Sequence, residues 1–216
     1  FIAGLCFFIL PRHSSPKPMQ RKDEATTTSF ADTTLRLFRI PSFSVLAVAG
    51  ILTAIGTWIF INWLPLYFRE TFGMSMASAG FFGSSLVSIG AAASQAAGGI
   101  VSDRVARRGP HRRMLMQAVL ICCATPTLLT FVFTRNETAV MIALVLYSIL
   151  RSGADLNIVP LLCDITGESQ HSTAFGITNM LNTLAGGMGI FAAGFLKSGY
   201  GLSGVFAGVA GILALD

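Results

Sequence analysis

The chain has 216 residues, of which 53% are hydrophobic and only 12% charged, with a net charge of +5. That charged share is about half the ordinary one for a soluble globular domain, which argues against that class. The basic residues are gathered in segments that flank apolar runs, so the positive balance calls for no nucleic-acid partner.

In chain order, Phe1–Leu10 is apolar, starts without methionine and has no basic residue before it. A signal peptide would carry one. The run is expected to be the end of a severed helix. Residues 11–41 follow, "PRHSSPKPMQRKDEATTTSFADTTLRLFRIP". Pro, Ser, Thr and mixed charge cannot build a core of their own, so this reads as a linker. Within it, Leu35–Ile40 is patterned for a short amphipathic helix along a membrane surface, with Arg36 and Arg39 as anchors.

Five long runs come next. Ser42–Phe68, Ala79–Ser102, Met114–Thr134 and Thr173–Leu196 contain no charge at all, and Thr138–Cys163 is interrupted by Arg151 and Asp155. About 20 helical residues cross the hydrocarbon of a bilayer. These are five complete spans, and Gly201–Leu215 is expected to be a sixth that is cut short. The lipid bilayer is therefore the solvent of residues 42–216, and the fold class is all-α, a polytopic transmembrane helix bundle.

Connecting segments alternate sides. Residues 11–41, 102–113 and 163–172 hold eleven Lys or Arg, against three in residues 69–78, 134–138 and 197–200. The positive-inside rule places the first set in the cytoplasm, as expected for a multi-pass protein of the plasma membrane.

Several polar residues interrupt the spans. Trp63 and Tyr67, four apart near the outer boundary, suit an aromatic belt. Trp58 and Asn62 share a face one turn deeper, and Pro65 breaks the backbone ladder beside them. Small residues recur every fourth place at Gly80, Ser84, Ser88, Ala92 and Ala96, with a second ridge at Gly90, Ser94 and Gly98. Such ridges, like Gly186, Gly187, Gly189 and Gly194, let helix backbones approach within a membrane. Asn179, Asn182 and Thr183 fall on one face of their span, where they line a cavity or bond a neighbouring helix.

The strongest polar signal is "LYSILRSGADLNIVP". Arg151 sits near the middle of its span, Asp155 one turn on along the same face, and Asn157 close by. An arginine at mid-bilayer costs ~2.5–3.5 kcal/mol on insertion scales, which pairing with Asp155 lowers. Two readings stay open: a self-neutralising pair, or an arginine that holds an anionic substrate group beside a carboxylate able to take a coupling proton. Cys6, Cys122, Cys123 and Cys163 form no disulfide framework or metal spacing. No nucleophile–base pair, phosphate loop or dinucleotide fingerprint is present, and no metal or cofactor is implied.

The basic segment has an order beyond its charge: Gly99-x-x-x-Asp103-Arg104-x-x-Arg107-Arg108. It resembles the signature between the second and third helices of each half of the major facilitator superfamily. Ala106 stands where a glycine is common. "PLLCDITGESQHSTAFGITN" is similar to a second family element, with Pro160 and Asp164 in place and His171 where a basic residue is usual. The Trp-Leu-Pro-x-Tyr run at Trp63 is similar to that of anion:cation symporters and spinster-like members.

The resemblance implies helix 6 through helix 12, that is, the end of helix 6 (residues 1–10), an inter-half loop (11–41) and the six-helix C-terminal half (42–216). It implies two inverted triple-helix repeats, for which the sequence gives thin support: Ser75-x-x-Ser78-x-x-Phe81 recurs as Ser169-x-x-Ser172-x-x-Phe175. It also implies rocking of two halves around a midplane site, with the N-terminal half of the same transporter as partner. On this reading Gly99, Asp103, Arg104, Arg107, Arg108, Asp164 and His171 form a cytoplasmic gate. Gly99 would admit a neighbouring helix, and Asp103 would bind a helix N-terminus of the other half. The alternative for His171 is a solvated loop residue.

The substrate site is expected at Arg151 and Asp155, with Trp58, Asn62, Asn179 and Asn182 around them. The expected function is proton-coupled symport of a small organic anion, not catalysis. The alternative class is a transport-fold receptor or an intramembrane enzyme. An enzyme would need several convergent His, Cys, Asp or Glu within the spans, and only Arg151 and Asp155 are there.

Overall fold

A computed structural model describes residues 30–106 and 110–215; the side chains of Asp103, Ala106, Pro110, His111 and Leu215 lie outside that description. Residues 1–10, most of the 11–41 segment, and Arg107 and Arg108 also fall outside it.

Among the described residues the secondary structure is helical, with a 3-10 turn at Glu168–Gln170 and seven α-helices: α1 (Phe30–Phe38), α2 (Pro41–Phe72), α3 (Met76–Ala106), α4 (Pro110–Phe133), α5 (Glu137–Asp155), α6 (Ile158–Ile165) and α7 (His171–Leu215). Five stretches are long and apolar enough to cross a membrane. The all-α membrane bundle expected from the sequence is the one observed. Helix ends follow local chemistry. Pro41 opens α2, where its missing N–H would be unsatisfied in any case. Gly73 closes α2 at φ 67°, with its N–H on Arg69 O. The Asn136 side chain caps α5 by accepting the Ala139 N–H at 3.1 Å.

One span differs from its sequence reading. Thr138–Cys163 is not one helix: α5 ends at Asp155 and α6 starts at Ile158. The separate runs Thr173–Leu196 and Gly201–Leu215 are both present, since α7 is two helices that meet at Gly201, whose φ of 68° and ψ of −177° favour glycine. Pro65, by contrast, stays inside a continuous α2.

Inside hydrocarbon, apolar side chains gain little by leaving lipid, so close backbone approach and hydrogen bonds matter more for helix association. α2 packs mainly on α7, and α5 lies against both α3 and α4. Aromatic rings fill the centre: the Phe60 ring lies 5.1 Å from Phe131, 4.9 Å from Tyr147 and 5.4 Å from Phe206. Tyr67 belongs to this core. It is 1% exposed, and its hydroxyl donates to Phe131 O at 2.9 Å. The expected belt position for Tyr67 is thereby corrected. Phe131 lies in the last turn of α4, where carbonyls lack ladder donors, and a buried tyrosine supplies one. Trp63 stays nearer the edge, with Lys197 Nζ 5.7 Å from its ring centroid.

The two ends of the bundle match the expected alternation. At one end Lys197 Nζ donates to Glu70 Oε1 at 2.7 Å, joining the 69–78 and 197–200 segments. At the other, Leu37, Phe43, Leu162, Ala174 and Ile177 form a second buried cluster. α1 is thus anchored through Leu37, with Arg36 and Arg39 exposed. This helix begins five residues before the expected Leu35–Ile40 and lies within the segment read as a linker.

Candidate functional site

Arg151 projects from α5 at the middle of the Glu137–Ile165 span, and Thr57 from the middle of α2. The two meet: Arg151 Nε donates to Thr57 Oγ1 at 3.2 Å. Arg151 Nη1 donates to Asp155 Oδ1 and forms an ion pair with it, one turn along α5. The pair is lopsided. The Arg151 side chain is 11% exposed, while that of Asp155 is 44% exposed. The guanidinium therefore lies behind the carboxylate, and Asp155 faces outward from the bundle. A carboxylate at a helix C-terminus meets the negative end of the dipole, so Asp155 depends on Arg151 for compensation. Tyr147, one turn before Arg151, is buried with its hydroxyl beside Thr57 but outside hydrogen-bond geometry with it.

The four other residues expected at the substrate site lie in different positions. Trp58 follows Thr57 on α2 and lies flat on Gly186 of α7: a Cβ there would sit 2.7 Å from the Trp58 Cγ. Asn182, one turn earlier on α7, faces Gly50 of α2, and its buried Oδ1 has no partner among the described residues. Asn62 is exposed and its Nδ2 returns to Trp58 O at 2.9 Å, within its own helix. Asn179 is exposed on α7. Thr57 and Tyr147 are the residues that sequence reasoning missed. Both are ordinary at the level of residue type, and only their shared depth with Arg151 marks them.

The small-residue ridges also separate. Gly90 and Gly98 are close-approach sites, where an added Cβ would lie 2.6 Å from Ser148 Cβ and 2.6 Å from Leu156 Cδ1. The ridge from Ser84 to Ala96 is exposed at Ser84, Ser88, Ala92 and Ala96. Around the basic segment, a Cβ on Gly99 would meet nothing within 4 Å among the described residues, so close packing there falls to its neighbour Gly98. Arg104 and Asp164 are exposed. His171 is half-buried, with Nε2 3.2 Å from Thr166 O. Among the described residues, no ion pair joins Arg104, Asp164 and His171 to one another.

The chain is 25% identical over 169 residues to the Probable sulfoacetate transporter SauU of Cupriavidus necator, an alignment covering 73% of this chain and 39% of that relative. The chain thus spans about two fifths of that relative's length. The family model described as Major Facilitator Superfamily matches residues 1–190. The family match over most of the chain, together with five helical stretches of membrane length, places this chain in the Major Facilitator Superfamily.

Proposed function

We propose that the chain forms the C-terminal half of a secondary active transporter that carries a small organic anion together with a proton. The observation that carries this reading is Arg151, held at mid-span by Thr57 and Asp155. Buried ionisable residues in membranes usually mark a transport path. A planar guanidinium gives a two-pronged contact to carboxylate, sulfonate or phosphate oxygens. Asp155 takes a single bond from the guanidinium in this structure, at Nη1, and is the more exposed partner. Protonation of Asp155 weakens the pair and frees the guanidinium for an anion, which is one way to couple proton and substrate. On this reading the exposed Trp58, Asn62 and Asn179 extend the site toward the N-terminal half, and Asn182 stays packed against Gly50 of α2. The name of the Cupriavidus relative, a probable sulfoacetate transporter, supports an anionic sulfonate or carboxylate as substrate.

The segments 11–41 and 102–113 lie on the cytoplasmic face of the plasma membrane on this reading. Gly99, Asp103, Arg104, Arg107, Arg108, Asp164 and His171 close that face against the other half.

The test is uptake of labelled sulfoacetate by proteoliposomes holding the whole transporter, with and without an acid-outside gradient. Saturable uptake that the gradient stimulates and Arg151→Gln abolishes is expected. Binding without flux would make the protein a receptor, and uptake indifferent to Arg151→Gln would remove Arg151 from the path.

A further inference from the structure

α3 is seated on α5 by residues at four-residue spacing: Gly90, Ser94, Gly98 and Ser102. Gly90 lies against Ser148, Ser94 against Gly153, and Gly98 against Leu156. Ser102 ends the row with a hydrogen bond, its Oγ donating to Asn157 Oδ1 at 2.7 Å. Ser102 is 4% exposed and Asn157 is fully buried. Ser102 immediately precedes Asp103 and Arg104.

Asn157 stands at the break between α5 and α6. Its backbone N–H turns to Ala154 O at 3.1 Å, one residue short of the α-helical ladder. Its side chain replaces what the backbone gives up: Nδ2 donates to Gly153 O at 3.1 Å. One amide therefore caps the break with its nitrogen and ties it to α3 with its oxygen. Asp155 lies two residues away, at the end of the helix that this amide closes.

We propose that the Ser102–Asn157 hydrogen bond is a latch between the basic segment and the mid-span ion pair. Ser102 and Asn157 are positioning residues: closed, the latch holds α6 and Asp155 as seen here, and open, it lets α6 swing as Asp155 leaves Arg151. Two features make it a latch more than a fixed strut. The ladder is already interrupted at the break, so bending there gives up no further α-helical bond. The tie itself is one neutral hydrogen bond, and such bonds between membrane helices are weak on balance. This inference rests on the reading that the protein changes conformation, and not on the identity of its substrate.

The experiment uses the whole transporter in lipid nanodiscs with no substrate added, and with Cys6, Cys122 and Cys123 replaced by serine. Spin labels are placed on Cys163, exposed in α6, and on Ile100→Cys, at a position 59% exposed on α3. Pulsed electron paramagnetic resonance reads the distance between them. Ser102→Ala removes one hydroxyl and is expected to shift the ratio of the distance seen here to the alternatives by about fivefold, the weight of one typical hydrogen bond. Ser102→Thr should restore the wild-type ratio. Asn157→Leu should shift the ratio the same way, with Ser102→Ala adding nothing on top. A wild-type distance distribution in Ser102→Ala overturns the latch, and so does an equal shift in Ser102→Thr. Failure of sulfoacetate uptake would remove the substrate class and leave this result untouched.

Discussion

The lopsided burial of the mid-span pair sets an order of costs. Asp155→Asn strands a guanidinium that is nearly nine-tenths covered, with the neutral Thr57 hydroxyl as its remaining hydrogen-bond partner. Breaking a buried ion pair by removing one member costs ~3–5 kcal/mol, and asparagine keeps an acceptor, so about 3 kcal/mol is expected. Arg151→Gln instead strands a carboxylate with 44% of its side chain open. On the proposed reading that face opens onto a water-filled transport path, where water screens the carboxylate and the cost falls to about 1 kcal/mol, as for exposed pairs. The double variant leaves no uncompensated charge and should regain most of the stability lost in Asp155→Asn. Denaturant unfolding of the purified transporter in detergent measures all three, with titration calorimetry of sulfoacetate on the same samples. The double variant should fold and fail to bind. Arg151→Lys should also lose most affinity, because an ammonium cannot make the planar contact. A double variant with wild-type affinity would show that the pair is structural and that the substrate sits elsewhere. Greater loss in Arg151→Gln than in Asp155→Asn would refute the burial argument itself.

The packing contrast in α3 predicts that Gly90→Ala, whose Cβ would meet Ser148 Cβ at 2.6 Å and Val145 O at 2.9 Å, costs ~1–3 kcal/mol. Gly80→Ala meets nothing within 4 Å and should stay within about 0.5 kcal/mol, both by thermal unfolding. Tyr67→Phe removes the donor to Phe131 O and should lower stability by about 1 kcal/mol, read as a fall in Tm with unchanged anion affinity. Gly186→Ala should displace the Trp58 ring, visible as a change in Trp58 fluorescence in a Trp63→Phe background; an unchanged spectrum would contradict the contact. Asp103→Asn should raise the labelling of cavity cysteines from the cytoplasmic side, whereas labelling unchanged from wild type on both faces would reduce the basic segment to a topology anchor.

The sequence alone determined the class of solvent and the layout of the spans. Uncharged runs of bilayer length have one economical use, because lipid leaves backbone polar groups no partner outside a helix or a closed barrel. Proline and glycine at Pro41 and Gly73 act within a single turn, so they too are legible in order. The charge pair was legible because Arg151 and Asp155 are four apart on one helix, and that spacing needs no tertiary knowledge. Contacts between spans were not. Thr57 meets Arg151 across 94 positions of sequence, and Ser102 meets Asn157 across 55. Tyr67 had a belt residue's composition and spacing, yet the α4 carbonyl above it made it core. Gly98 and Gly99 are identical by type, and only the rotation of α3 against α5 decides which of them receives Leu156. A sequence fixes which face of a helix each residue shares; which neighbour that face meets depends on how the helices pack, and it is this packing that brought Thr57 to Arg151 and left Trp58 and Asn182 against glycines of the facing helix.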